Sequence, residues 1–271
     1  MSKTDLQNAP ILLREDRPGG IVVLTLNRPA ARNSLSRAML QALEDMLADI
    51  AADASCRVVV LAGAGTVFCA GHDLREITAH RADADGGRGF YADAMDACAR
   101  VMQGIVALPQ PVIAAVQGVA TAAGCQLVAS CDLAVAAEDA RFCTPGVDIG
   151  LFCSTPAVAL ARAVPRKAAM EMLLLGEMVP AAEAQRLGLV NRLAPRDALM
   201  ETALGLAARI AAHSAITVRM GKRGFNTQIE LPLASAYREA ASVMTENLMA
   251  RDAAEGIGAF LEKRHPQWED R

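Results

Sequence analysis

Along the first two thirds of the chain, short β-branched runs alternate with longer stretches whose apolar residues recur at helical spacing. Residues 11–14 and 21–26 flank Pro18-Gly19-Gly20, which predicts a hairpin of two strands around a tight turn. Asn27-Arg28-Pro29 stops the second strand. From Ser36 onward, Met39, Leu43, Met46, Leu47 and Ile50 fall on one helical face. Residues 57–61 (Arg-Val-Val-Val-Leu) are an unbroken apolar run, as expected of a strand covered on both faces, and Gly63-Ala64-Gly65 turns the chain after it. The rhythm then repeats. Residues 81–89 are polar and glycine-rich, hence a surface loop, and 90–106 read as a helix that Pro109-Gln110-Pro111 ends. Residues 112–116 form a second buried strand, 122–130 a helix of small residues, and 133–136 a further strand. Strands alternating with helices predict an α/β class with mostly parallel pairing.

The last third differs. From Arg196 the chain carries helical stripes, such as Leu199, Ala203, Leu206 and Ile210, separated by Gly and Pro. The expectation is an α/β core over residues 1–195 and a helical C-terminal region over residues 196–271. No fixed-period repeat or low-complexity tract interrupts this division.

Composition narrows the partners. Lys+Arg (27) and Asp+Glu (30) leave a net charge of −3, and aromatics are only 3% of 271 residues, so neither a basic nucleic-acid face nor a base-stacking platform is predicted. Residues 1–8 are polar and resemble neither a secretory leader nor a transit peptide. The longest weakly polar run, 119–131, is shorter than the ~20 residues a membrane span needs. Seven Cys without regular spacing fit a reducing compartment. Together these predict a cytoplasmic protein with neither nucleic-acid nor membrane partners.

Several chemistries are excluded by spacing. Gly63-x-Gly65 follows a strand, but a third dinucleotide-type glycine would fall at Phe68, and no phosphate-binding Gly-x-x-x-x-Gly-Lys-Ser/Thr occurs. His72, His80, His213 and His265 lack metal spacing, and there is no Cys-x-x-Cys. Cys125 and Cys131 lie in an apolar stretch and read as core. Two segments carry more. Phe68-Cys69-Ala70-Gly71-His72-Asp73-Leu74 and the stretch from Gly118 to Asp132 are loops of small residues that leave a strand and enter a helix. Small side chains admit a ligand to the backbone, and helix starts offer unpaired N–H groups; two such donors that converge make an oxyanion hole. Close helix–strand packing without chemistry explains the same composition.

These segments, with Asn27-Arg28-Pro29, Asn33-Ser34-Leu35, Phe142-x-x-Pro145, Gly150-Leu151 and the ending Phe260-Leu261-Glu262-Lys263-Arg264, resemble the enoyl-CoA hydratase/isomerase (crotonase) superfamily from the first strands to the last helix. The resemblance implies a spiral of ββα units with a helical C-terminal region, assembled as a homotrimer or homohexamer. It implies an acyl-CoA or enoyl-CoA substrate and no separate cofactor, since CoA is part of that substrate. The backbone N–H groups of His72 and Ala123 become the oxyanion donors. Asp73, Leu74 and Arg75 line the entry for CoA and the acyl chain. Lys263 matches a basic residue that approaches a CoA phosphate, often from a neighbouring subunit, although a solvated surface lysine fits equally.

The departures concern proton transfer. The two glutamates typical of hydratases are replaced by Gln126 and Gly146. Glutamine neither gains nor loses a proton near neutrality, and glycine has no side chain. Each well-placed acid or base contributes ~10²–10⁴ in rate, so ordinary hydration is expected to be crippled. Asp148 is the first substitute considered: were the stretch extended, positions 146 and 148 would share a face. Cys143, Thr144, Cys153 and Ser154 are weaker candidates. A binding protein for acyl-CoA with little or no turnover is the alternative reading.

Overall fold

The computed structural model describes residues 10–271. The polar opening segment 1–8, used above to argue against a leader, lies outside the described residues. Strands Leu12–Arg17 (β1) and Ile21–Leu26 (β2) form the expected hairpin. Helix Arg37–Ala52 (α1) follows; the Ser36 side chain caps it by accepting from the Met39 N–H at 3.2 Å. Its buried face is Met39, Leu40, Leu43, Leu47 and Ile50, so Leu40 replaces Met46 of the predicted stripe.

Three units then repeat one path: a strand in a large sheet, a very short strand in a second sheet, then helix. They are Val58–Gly63 (β3) with Val67–Cys69 (β4), Val112–Val116 (β5) with Val119–Thr121 (β6), and Leu133–Ala137 (β7) with Arg141–Cys143 (β8). The intervening helices are Leu74–Ala79 (α2), Arg88–Ala107 (α3) and Ala123–Ser130 (α4). Helices Ser154–Ala163 (α5), Arg166–Leu175 (α6) and Ala181–Leu187 (α7) follow, with strands Val179–Pro180 (β9) and Arg192–Ala194 (β10) among them. The six-stranded sheet has the order β1-β2-β3-β5-β7-β10, antiparallel only at β1; the four-stranded sheet has the order β4-β6-β8-β9. This is the expected α/β spiral of ββα units.

The central strands are buried on both faces, from Val58 to Val60 and from Val112 to Val116, which accounts for their unbroken apolar runs. The short strands supply the largest fully buried side chains, Phe68 and Phe142. After residue 196 come Leu199–Ala211 (α8), Ala215–Gln228 (α9), Leu233–Met249 (α10) and Arg251–Glu262 (α11). α8 buries Leu199, Ala203 and Ala207 in the main core, whereas α10 buries no residue. No helix among the described residues is long and apolar enough to cross a membrane.

Candidate active site

The ends of β4 and β6 lie side by side in the second sheet, and each leads into one of the two small-residue loops. After β4, Gly71 takes a left-handed conformation (φ +84°). Its carbonyl accepts from the Leu35 N–H at 2.8 Å, and the Asp73 N–H reaches the Leu35 carbonyl at 3.3 Å. The His72 N–H between them has no acceptor among the described residues. After β6, the Ala122 N–H is taken by the Cys143 carbonyl at 2.9 Å, and Ala122 then turns sharply (φ +49°, ψ −119°) into α4. Ala123 opens that helix, and its N–H is also without an acceptor among the described residues.

Steric facts join the two loops. A Cβ on Gly71 would stand 3.0 Å from the Ala122 Cβ and 3.2 Å from the Ala123 nitrogen. A Cβ on Gly124 would stand 2.2 Å from the Cys69 carbonyl oxygen. The Thr121 hydroxyl donates to the Ala70 carbonyl at 3.0 Å. Glycine is thus required where one loop touches the other, and the two unpartnered amides are neighbours. Holding Ala122 at positive φ costs roughly 1–3 kcal/mol and persists because the surrounding packing enforces it.

A cavity of about 1260 Å³ opens at His72, lined also by Arg28, Ser34, Val67, Ala70, Asp73, Thr121 and Met178 among others, while Ala123, Gln126 and Gly146 lie behind its wall. It exceeds the ~300–1,000 Å³ of sites for drug-sized ligands. Asp73 caps α2 and accepts from Ser34 Oγ at 3.1 Å and Arg28 Nη2 at 3.2 Å. Burial pulls its carboxyl upward, but these bonds win and hold it below the usual aspartate value. Arg32 and Arg75, also in the cavity wall, have no carboxylate partner among the described residues. Burial lowers the His72 imidazole, and its Nε2 is buried without a partner among the described residues.

The remaining candidates are less concentrated. Leu74 and Arg75 are exposed at the start of α2. Lys263 ends α11 in the left-handed conformation and is not in the cavity wall of its own chain. Gln126 is buried in α4, where its Oε1 accepts from Cys98 Sγ at 3.9 Å. Gly146 is no vacancy. A Cβ there would meet the Leu151 carbonyl oxygen at 2.8 Å and Cys153 Sγ at 2.9 Å. The premise that brought Asp148 forward fails: Pro145–Ile149 is a 3-10 turn rather than extended chain, so positions two apart do not share a face. Asp148 is exposed, and a Cβ on Gly176 would lie 3.4 Å from its Oδ2.

Sequence reasoning gave no role to Arg28, Ser34 or Asn33. Arg28 and Ser34 fix the Asp73 cap. Asn33 pins the loop before β4 through Nδ2 bonds to the Ala64 and Val67 carbonyls at 2.9 and 2.8 Å. All three lie in the quoted motifs, which was the available signal. Contact of Cys98 and Cys153 with the two replaced positions left no trace in the sequence.

Comparison with known proteins identifies the family and the fold. A family model described as Enoyl-CoA hydratase/isomerase matches residues 16–271. The chain is 44% identical over 262 residues to a Rattus norvegicus protein named Enoyl-CoA hydratase domain-containing protein 3, mitochondrial, covering 97% of this chain and 86% of that one. A crystal structure of a Mycobacterium smegmatis enoyl-CoA hydratase superposes with a TM-score of 0.92 at 52% identity, covering 96% of this chain and 99% of that one. The crystal structure of human enoyl coenzyme A hydratase domain-containing protein 3 gives 0.90 at 44%, covering 96% and 100%. The cytoplasmic expectation is corrected here, because the rat protein and its vertebrate counterparts are named mitochondrial. Cysteine spacing and net charge carry no address.

Proposed function

Because the chain belongs to the enoyl-CoA hydratase/isomerase family, we propose that it binds acyl-CoA or enoyl-CoA thioesters and stabilises an enolate at the thioester carbonyl. The observation that carries this reading is the pair of unpartnered main-chain amides, His72 N–H and Ala123 N–H, on loops that touch at Gly71. When a base removes a proton from C2, or a nucleophile adds to C3, negative charge moves onto the thioester oxygen. Two fixed donors aimed at that oxygen are worth ~10²–10³ each in rate. Arg32 and Arg75 supply positive charge at the cavity wall for the CoA phosphates. No separate cofactor enters the scheme.

Ordinary hydration is not the reaction this site favours. Gln126 cannot serve as base, and Gly146 has neither a side chain nor room to gain one. Those observations favour a second reading, an acyl-CoA-binding protein with little turnover. Crotonyl-CoA separates the two: loss of its enoyl absorbance reports hydration, whereas saturable binding without loss reports the second reading. Absence of any binding refutes both.

The assembly proposed is a homotrimer or homohexamer. It is supported by the apolar surface that α10 and α11 leave uncovered, including Leu233, Tyr237, Met249, Phe260 and Leu261. Lys263 lies at the end of that surface and would reach a neighbour's cavity rather than its own. The division at residues 195/196 follows the same reading, with α9 to α11 serving assembly while α8 completes the core. Sedimentation equilibrium tests it; a monomer at micromolar concentration refutes it.

A further inference from the structure

The orientation of one buried amide limits what the acyl chain can carry. Gln126 sits three residues after Ala123, one turn along the same face of α4, with its side chain leaning back toward the helix start. It is 4% exposed. Burial pushes the Cys98 thiol up to about 12, so the thiol keeps its proton at neutral pH and is a donor. Its partner is Gln126 Oε1. The amide oxygen is therefore committed to the core, and the amide nitrogen faces the other way. That nitrogen has no acceptor among the described residues, yet it is not one of the fully buried orphan atoms, so it keeps a little accessible surface. The position offers a donor where a carboxylate would offer an acceptor.

Resting on the acyl-CoA reading above, we propose that Gln126 determines specificity by donating its amide N–H to an oxygen on C3 of the acyl chain. A 3-oxoacyl-CoA is then preferred over the saturated acyl-CoA of equal length. The oxygens on C1 and C3 of such a chain lie along one edge when the carbonyls are syn. A third donor beside the two that serve C1 therefore reaches the C3 oxygen. A bound saturated chain covers that N–H without pairing it, and a polar group buried unpaired is a strong discriminator.

Calorimetric titration of the full chain with acetoacetyl-CoA and butyryl-CoA at neutral pH tests this. The wild type is expected to bind acetoacetyl-CoA about tenfold more tightly, the scale of one neutral hydrogen bond. Gln126→Leu should bring the ratio to about one. Gln126→Glu keeps the bond from Cys98 but turns an acceptor oxygen outward, so its ratio should fall below one and tests the idea even if the leucine variant fails to fold. Equal affinities in the wild type overturn the inference, as does a preference that survives either substitution. So does an equal weakening of both esters, which would mean that Gln126 serves the C1 oxygen instead. If neither ester binds the wild type, the acyl-CoA reading fails and this inference falls with it, whereas equal binding of both overturns this inference alone.

Discussion

The amides at His72 and Ala123 and the side-chain positions 126 and 146, which the proposed function puts in one site, are built differently. The amides are held by backbone: a left-handed glycine, a strained alanine, a short parallel strand pair and a hydroxyl that stitches one loop to the other. Positions 126 and 146 depend on side chains, and there the usual carboxylates have given way to Gln126, held by Cys98, and to Gly146, crowded by Cys153. In the proposed function, charge stabilisation is thus a property of the fold, lost by disturbing it. Proton transfer is a property of single side chains, and how freely it changes depends on the room at each position, which Gly146 lacks.

Substitutions on either side of this contrast should behave accordingly. The largest effect is expected at Gly124. An added methyl would lie 2.2 Å from the Cys69 carbonyl, so Gly124→Ala should cost about 3 kcal/mol or more in urea denaturation. Gly71→Ala combines a clash with Ala122 and an unfavourable φ, and it should cut acyl-CoA turnover or binding by roughly 10²-fold in steady-state or titration assays. Undiminished binding would detach the amides from function. Gly146→Glu should not restore hydration, even beside Gln126→Glu. The new side chain meets a backbone oxygen and a sulfur, so a stability loss of about 1–3 kcal/mol is expected instead of gained crotonyl-CoA hydration.

Acid should weaken the fold through His72. Its folded pKa lies below the unfolded value, so the unfolded chain takes up the proton first, and stability falls as pH drops below ~6.5. In His72→Gln that slope should flatten in denaturation curves taken from pH 7 to 5. The smallest effect is expected at Ala122. Glycine relieves the positive φ but adds freedom to the unfolded chain, so Ala122→Gly should stabilise by ~1 kcal/mol or less.

The elements legible in the sequence were those with a long period: the hairpin, α1, the valine-rich central strands and the stripe of α8. The strands β4, β6 and β8 span three residues each, too few for alternation to register, yet they carry both amide loops. Helices α5, α6 and α7 were not read either. Residues 72 and 123 were reached through the small-residue loops and the resemblance they carry. The extended-chain condition for Asp148 fails because a 3-10 turn and an extended strand are not distinguished by a Pro-Gly start. The thiols against positions 126 and 146 come from α3 and from the chain after Gly150, and only folding brings them there.

The central claim is that two main-chain amides polarise a thioester carbonyl. Difference infrared spectroscopy of a ¹³C-labelled acyl-CoA reads this directly and does not depend on turnover. The carbonyl stretch should move to lower frequency on binding to the wild type and should not move with Gly71→Ala. A bound ester whose carbonyl frequency matches that in water would contradict the account.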